Sequence, residues 1–246
     1  MNTLTTKAYR FVMLIIVLAA GVSVERTGLI RYLSDPFEMH FTLRLIYQHI
    51  NMVLVSMSIA TFIGITCGIL FTRPGLKKYS GIVMYIVGLG QTVPSLAVIA
   101  LAMSFIGIGF KAAVFALCIY SILPIARNTL AGISSVQTWI IDAARGMGMP
   151  EYKILFQIEI PNAMKVILTG FRVALIINIG TAALAFLIGA GGLGDHIFTG
   201  ISLMRMDKLL AGAIPTTMLA LFADYLCELL GLFIVPKGLR LYDKSI

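Results

Sequence analysis

What limits this chain most is how far it runs without a charge. Ile50 to Thr72 and Val173 to Gly194 each pass without one Asp, Glu, Lys or Arg. Tyr79 to Phe110 does the same, and Ala112 to Ala126 resumes after the single Lys111. A helix crosses the hydrocarbon core with about 20 apolar residues. Each of the first two runs is therefore one span, and 79–126 reads as two. The turn between those two is expected at Gly107-Ile108-Gly109, where a pair of glycines frees the backbone. Leu209 to Val235 is the last run, with Asp224 and Glu228 inside it. The whole chain is 59% hydrophobic and 12% charged, against about 25% charged in a soluble domain, so its outer surface cannot be one that faces water.

The N-terminal run, Phe11 to Val24, is short. Lys7 and Arg10 before it and Ala19-Ala20-Gly21 after it would also suit a signal-peptide core. We read it as a retained helix, lengthened by snorkelling of Arg10. The fold expected is all-α: a polytopic membrane protein of six transmembrane helices with a helical cytoplasmic loop. Orientation follows from Lys and Arg placement. With the N terminus inside, inside segments hold Lys7, Arg10, Arg73, Lys77, Lys78, Arg127, Arg145, Lys153, Lys165, Lys237, Arg240 and Lys244; outside segments hold Arg26, Arg31, Arg44, Lys111, Arg205 and Lys208. Both termini are then cytoplasmic. The net charge of +8 is a consequence of topology and calls for no nucleic acid. Cys67, Cys118 and Cys227 lie in apolar runs and read as small buried side chains. No Cys/His cluster has metal-ligand spacing.

Residues 127–165 make an unusually long cytoplasmic connection. Ser134-Ser135-Val136-Gln137 fits a capping box, so a short helix should follow and end near Gly146 or Gly148. Pro150 suits the start of a second helix, and Pro161 should interrupt before the next span.

At the outer end, Gly189, Gly191 and Gly194 fit G-x-G-x-x-G, with Gly192 between them. A dinucleotide fingerprint needs a preceding strand and a soluble βαβ unit, and here the glycines close a membrane helix. They are read as a place where the chain leaves its helix and folds back against protein.

The cytoplasmic run DAARGMGMPEYKILFQIEIP, Asp142 to Pro161, resembles the EAA motif of ABC importer permeases, E-A-A-x3-G-x9-I-x-L-P. Asp142, Ala143, Ala144, Gly148, Ile158 and Pro161 fall at the required spacing, with Asp142 for Glu and Ile160 for Leu. QTVPSLAVIAL (91–101), LPIARNT (123–129), ARGMGM (144–149) and IGAGGLG (188–194) look most like the osmoprotectant permeases, which carry glycine betaine, carnitine and choline. The resemblance implies a permease core over 45–240, preceded by a helix and outer loop in 1–44 and followed by a tail, 241–246. It also implies a bacterial cytoplasmic (inner) membrane location. The partners it implies are ABC ATPase subunits docked on Asp142, Ala143, Ala144, Arg145, Gly148, Ile158 and Pro161, a second permease chain (identical or a paralogue), and an extracytoplasmic substrate-binding protein. ATP and Mg would be bound by the ATPase, so this chain itself would need no cofactor and would not be an enzyme. A permease for methionine or a sulfonate would share the loop; an ATP-independent transporter would not need it.

Polar residues inside the spans add candidates. Gln91, Thr92, Pro94 and Ser95 cluster in the third span, where Pro94 should kink the helix. With Asn178 and Thr181 of the fifth span opposite, they would line a translocation path, or else pack between helices by local hydrogen bonds. Arg172, Asp224 and Glu228 are costly at membrane depth and should pair: Arg172 with Glu228 foremost, or with Asp224. His40, His49 and His196 fall in outer segments and read as exposed or interfacial. Trp139, the only tryptophan, lies on the cytoplasmic side, so no aromatic cage for a quaternary ammonium is evident.

Overall fold

The structure is a computed structural model and describes residues 27–235. The expected first span, Phe11 to Val24, lies outside the described residues, as do most of the 1–44 segment and the 241–246 tail. The described part is helical from end to end: α1 (Leu29–Ser34), α2 (Pro36–Leu70), α3 (Ser80–Gly90), α4 (Ser95–Ile106), α5 (Phe110–Ser134), α6 (Thr138–Gly146), α7 (Glu151–Ile154), α8 (Ile160–Ala182), α9 (Gly194–Ser202) and α10 (Met206–Ile234). A 3-10 turn precedes α3, a wide π turn (Leu155–Glu159) joins α7 to α8, and a 3-10 stretch (Ala183–Ile188) continues α8. Four helices are long and apolar enough to cross a membrane, or five if α3 and α4 together make one broken span.

α2 starts well before the apolar run that marks it. Asp35 accepts from the Phe37 amide at 2.8 Å, and Pro36 takes the first helical position, where its missing N–H costs nothing. The helix therefore extends upstream of the 44/45 boundary, carrying His40 and Arg44 on a polar extension. Near its other end α2 reads G-I-T-C-G, Gly64 to Gly68, a spacing that lets helices approach closely. A Cβ at Gly68 would stand 2.5 Å from the Thr129 Cβ, and one at Gly64 2.9 Å from the Ile125 Cβ. α8 meets a neighbouring stripe of α5 in the same way, since a Cβ at Gly170 would stand 2.5 Å from the Asn128 Cβ. So α5 is the central helix, with 61% of its apolar stretch buried, whereas α10 has only 6% of its stretch buried.

The turn between α4 and α5 falls on Gly107 and Gly109, with φ of 96° and 105°, and the Gly109 amide donates to the Ile188 carbonyl at 2.8 Å. Three expectations need correction. Pro94 does not kink a continuous helix: α3 ends at Gly90, residues 91–94 leave the helix, and α4 departs at 92°. Pro94 is the N-cap of α4: it has no N–H to bond back to residue 90, its ring would crowd that carbonyl, and its extended ψ of 133° turns the chain before α4 starts. The 134–137 capping box does not form. Ser134 ends α5, Ser135 donates back to the Gly132 carbonyl at 2.7 Å, and Gln137 caps α6 without a side-chain bond. Pro161 does not break the chain, because the π turn before it widens the helix. The Ile160 amide reaches Leu155, one residue further than in an α-helix, which relieves the proline ring of its usual clash. The Asn162 side chain then donates to the Ile158 carbonyl at 2.7 Å.

Candidate functional site

With α5 and α8 helical beyond their spans, the 127–165 connection narrows to residues 135–150, built around α6. The end of α6 is a complete Schellman motif. Gly148 is left-handed at φ 77°, its amide donates to the Arg145 carbonyl at 2.9 Å, and the Met149 amide donates to the Ala144 carbonyl at 3.1 Å. The chain therefore reverses at Gly148 and starts α7 beyond Pro150, as expected from the sequence.

The two alanines of α6 face different ways. Ala144 is fully buried against its own chain, and Ala143 is exposed. Trp139, Asp142, Ala143 and Gly146 share one face at helical spacing and all are exposed. Met147, Tyr152 and Phe156 are exposed beside them. Arg145 lies 3.6 Å from Asp142 and donates to Glu151 at 2.7 Å, tying α6 to α7. The bond to Glu151 holds the Arg145 guanidinium above its ordinary range, so it stays charged. Ile158 lies half-buried in the π turn, and Pro161 is half-buried at the start of α8.

Residues 91–94 are exposed, and Ser95 opens α4 half-buried. The Thr92 hydroxyl donates to Leu89 at 2.7 Å, and the Tyr120 hydroxyl of α5 donates to the Val93 carbonyl, which pins the elbow. Asn178 does not lie opposite this cluster on an open surface. It has 0% exposure, and its amide nitrogen donates to Ser121 at 2.7 Å and Ser56 at 3.0 Å, so one carboxamide joins α2, α5 and α8. Thr181 is half-buried and bonds its own helix at the Ile177 carbonyl, 2.8 Å.

Arg172 meets both intramembrane acids, in the opposite order to the one expected. Its guanidinium forks onto Asp224 through Nε and Nη2, the latter at 2.6 Å, while Glu228 stands at 3.9 Å. Counting residues from the membrane edge gives depth alone. The azimuth of α10 against α8 puts Asp224 under the fork.

At the far end of the bundle, Gly189, Gly191 and Gly192 are all left-handed, with φ of 74°, 77° and 84°. Their concave side is filled by the chain itself. Gln48 accepts from the Gly192 amide at 3.2 Å, and a Cβ at Gly192 would meet Met52 at 2.8 Å. Gly194 begins α9 so close to the preceding turn that a Cβ would stand 1.8 Å from the Ala183 carbonyl oxygen. Sequence reasoning missed two histidines here. His49 and His196 are fully buried. His49 Nε2 lies 3.0 Å from the Ile179 carbonyl oxygen, and His196 Nε2 lies 2.8 Å from the Thr42 hydroxyl. Burial, reinforced by the Lys208 charge, pushes the His196 imidazole below its ordinary value. His40 is exposed, as expected.

These features define an all-helical, polytopic membrane protein with a structured loop at one end of the bundle. The model of the family described as binding-protein-dependent transport system inner membrane component matches residues 60–233, and the chain belongs to that family. The osmoprotectant import permease protein OsmY of Salmonella typhimurium is 42% identical over 236 residues, 96% of this chain and 99% of that one. The carnitine transport permease protein OpuCB of Listeria monocytogenes is 41% identical over 194 residues, 79% of this chain and 88% of its own. The glycine betaine/carnitine/choline transport system permease protein OpuCB of Bacillus subtilis is 37% identical over 193 residues, 78% and 88% of the two chains. Among solved structures, the MetNI methionine ABC transporter in an inward-facing conformation aligns at a TM-score of 0.73 over 82% of this chain and 100% of that chain. At 22% identity that is a likeness of fold.

Proposed function

We propose that this chain is the permease subunit of an ATP-driven importer for compatible solutes of the glycine betaine, carnitine and choline class, resident in a bacterial inner membrane. The observation that carries this reading is the 42% identity along 96% of the chain to a permease named for osmoprotectant import. In this reading the chain spans the membrane six times with both termini cytoplasmic. It forms half of a pore that a second permease chain, identical or paralogous, completes. An external binding protein delivers the solute. Separate ATPase subunits bind ATP and Mg and dock on the exposed face of α6, around Asp142 and Ala143. Closure of the ATPase pair moves that face, and the helices follow as rigid bodies to expose the pore to one side and then the other. The exposed apolar and small side chains of α6 support this docking, because they permit close approach of a partner's backbone. Residues 91–95 at the α3–α4 elbow line the path. Arg172 and Asp224 hold α8 to α10 within the span.

The test is reconstitution of the chain with a candidate ATPase and binding protein. ATP hydrolysis should rise with glycine betaine, carnitine or choline and stay at its basal level with methionine. Stimulation by methionine alone, or solute uptake that persists without the ATPase, would reject the reading.

A further inference from the structure

The segment that carries α6 follows directly on α5 at one end and at the other enters α8 through a wide turn. Over Leu155–Glu159 the helix is π-wound and is followed by Pro161, which donates no backbone bond. It lies between α6 and α8, and wide turns of this kind recur at working positions in helices. A push on α6 that bent the chain here would be absorbed before it reached the membrane. Glu159, the last residue of the turn, is a carboxylate with only 7% exposure. Burial at that level requires a partner charge. The Arg73 guanidinium, just past the end of α2, supplies it through Nη2. Arg73 is itself held in place: its Nε and Nη2 donate to the Thr72 hydroxyl at 3.0 and 2.8 Å, and that hydroxyl donates to the Ile69 carbonyl at 2.6 Å. The charge on Glu159 is thereby anchored to the last turn of α2, across 86 residues of sequence.

We propose that Arg73 and Glu159 form a positioning brace. The pair clamps the π turn to the end of α2, so that a displacement of α6 carries α2 and α8 together instead of flexing residues 155–159. Both act through the turn they hold. The brace rests on the docking role proposed for α6.

The test uses the complete importer, with ATPase and binding protein, in proteoliposomes, and reads solute imported per ATP hydrolysed. Glu159→Gln and Arg73→Gln should each lower that ratio by about tenfold, a coupling loss of ordinary size, while ATPase subunits co-purify at the unaltered level and basal hydrolysis persists. The charge exchange Arg73→Glu with Glu159→Arg should bring the ratio back to within about threefold, as expected for a coupling carried by one contact pair. Single variants that import at the unaltered ratio would overturn the brace. So would an exchange that stays as uncoupled as the singles, or variants that lower only the yield of assembled complex while what assembles imports normally. The docking role has a separate readout. If Ala143→Arg leaves ATPase co-purification intact, it is the α6 reading that fails, whatever the ratio does in the brace variants.

Discussion

Replacing Gly194 with alanine is the sharpest probe of the glycine loop. A Cβ there would lie 1.8 Å from the Ala183 carbonyl oxygen and 2.8 Å from its carbon. Carbon and oxygen settle at about 3.3 Å or more, so one of two backbone segments must retreat by about 1.5 Å. Neither is the free end of a flexible side chain. Overpacking a close-packed site costs about 1–3 kcal/mol, and alanine's better helix propensity returns about 0.5–1 kcal/mol of that. Because backbone must give way here, the cost sits at the upper end of that range, and the net loss is about 2 kcal/mol, or about 5 °C in melting midpoint for a chain of this size. Gly180, in α8, is the matched control, since a Cβ there meets nothing within 4 Å. The assay is thermal unfolding of the purified complex in detergent. Gly194→Ala should melt about 5 °C lower, and Gly180→Ala should melt at or above the unaltered midpoint. Equal midpoints for the two variants would refute the argument that contact distance, and not glycine's flexibility, keeps residue 194 without a side chain.

Three further outcomes follow from the geometry. Asp224→Ala should lower the yield of folded protein more than Glu228→Ala, because Asp224 carries the forked contact and Glu228 stands at 3.9 Å; the pair Arg172→Met with Asp224→Leu should recover yield, since it removes both charges at once. Ala144→Leu should destabilise the permease alone by about 1–3 kcal/mol through overpacking, whereas Ala143→Arg should leave its melting point unchanged and block ATPase co-purification. For His196, burial favours the neutral ring, so the unfolded chain takes up the proton first. Its contribution to stability is complete above about pH 6.5 and is lost as pH falls through the lowered folded value. Melting points measured from pH 7.5 down to 5 should fall more steeply in the unaltered protein than in His196→Asn.

The parts of this fold that local chemistry decides were legible in the sequence. Charge-free runs marked the long helices, Gly107 and Gly109 marked the corner, and Gly148 marked the end of α6, because a left-handed residue is a local demand. The G-I-T-C-G spacing in α2 was also there to be read as a close-approach face and was passed over. What could not be read depends on partners far along the chain. His49 and His196 look interfacial until Ile179 and Thr42 are placed beside them. Asn178 suits a pore or a helix seam equally well until Ser56 and Ser121 are found bonded to it. The choice between Asp224 and Glu228 is an azimuth, which apolar periodicity on a helix buried so lightly does not encode. The π turn is written partly in Pro161, but the partner of Glu159 in that turn is Arg73, a residue far outside the loop.

The two seams along α5 leave no room for slippage. Where Gly68 meets Thr129 and Gly170 meets Asn128, a single methyl group would already collide, and Asn178 stitches the same trio through three side chains. Sliding one of these helices along another by even one ridge would drive a larger residue into a glycine's place. Shape change within the chain is therefore left to the segments outside this trio of helices. Gating would read as outriggers swinging about a keel that keeps its form.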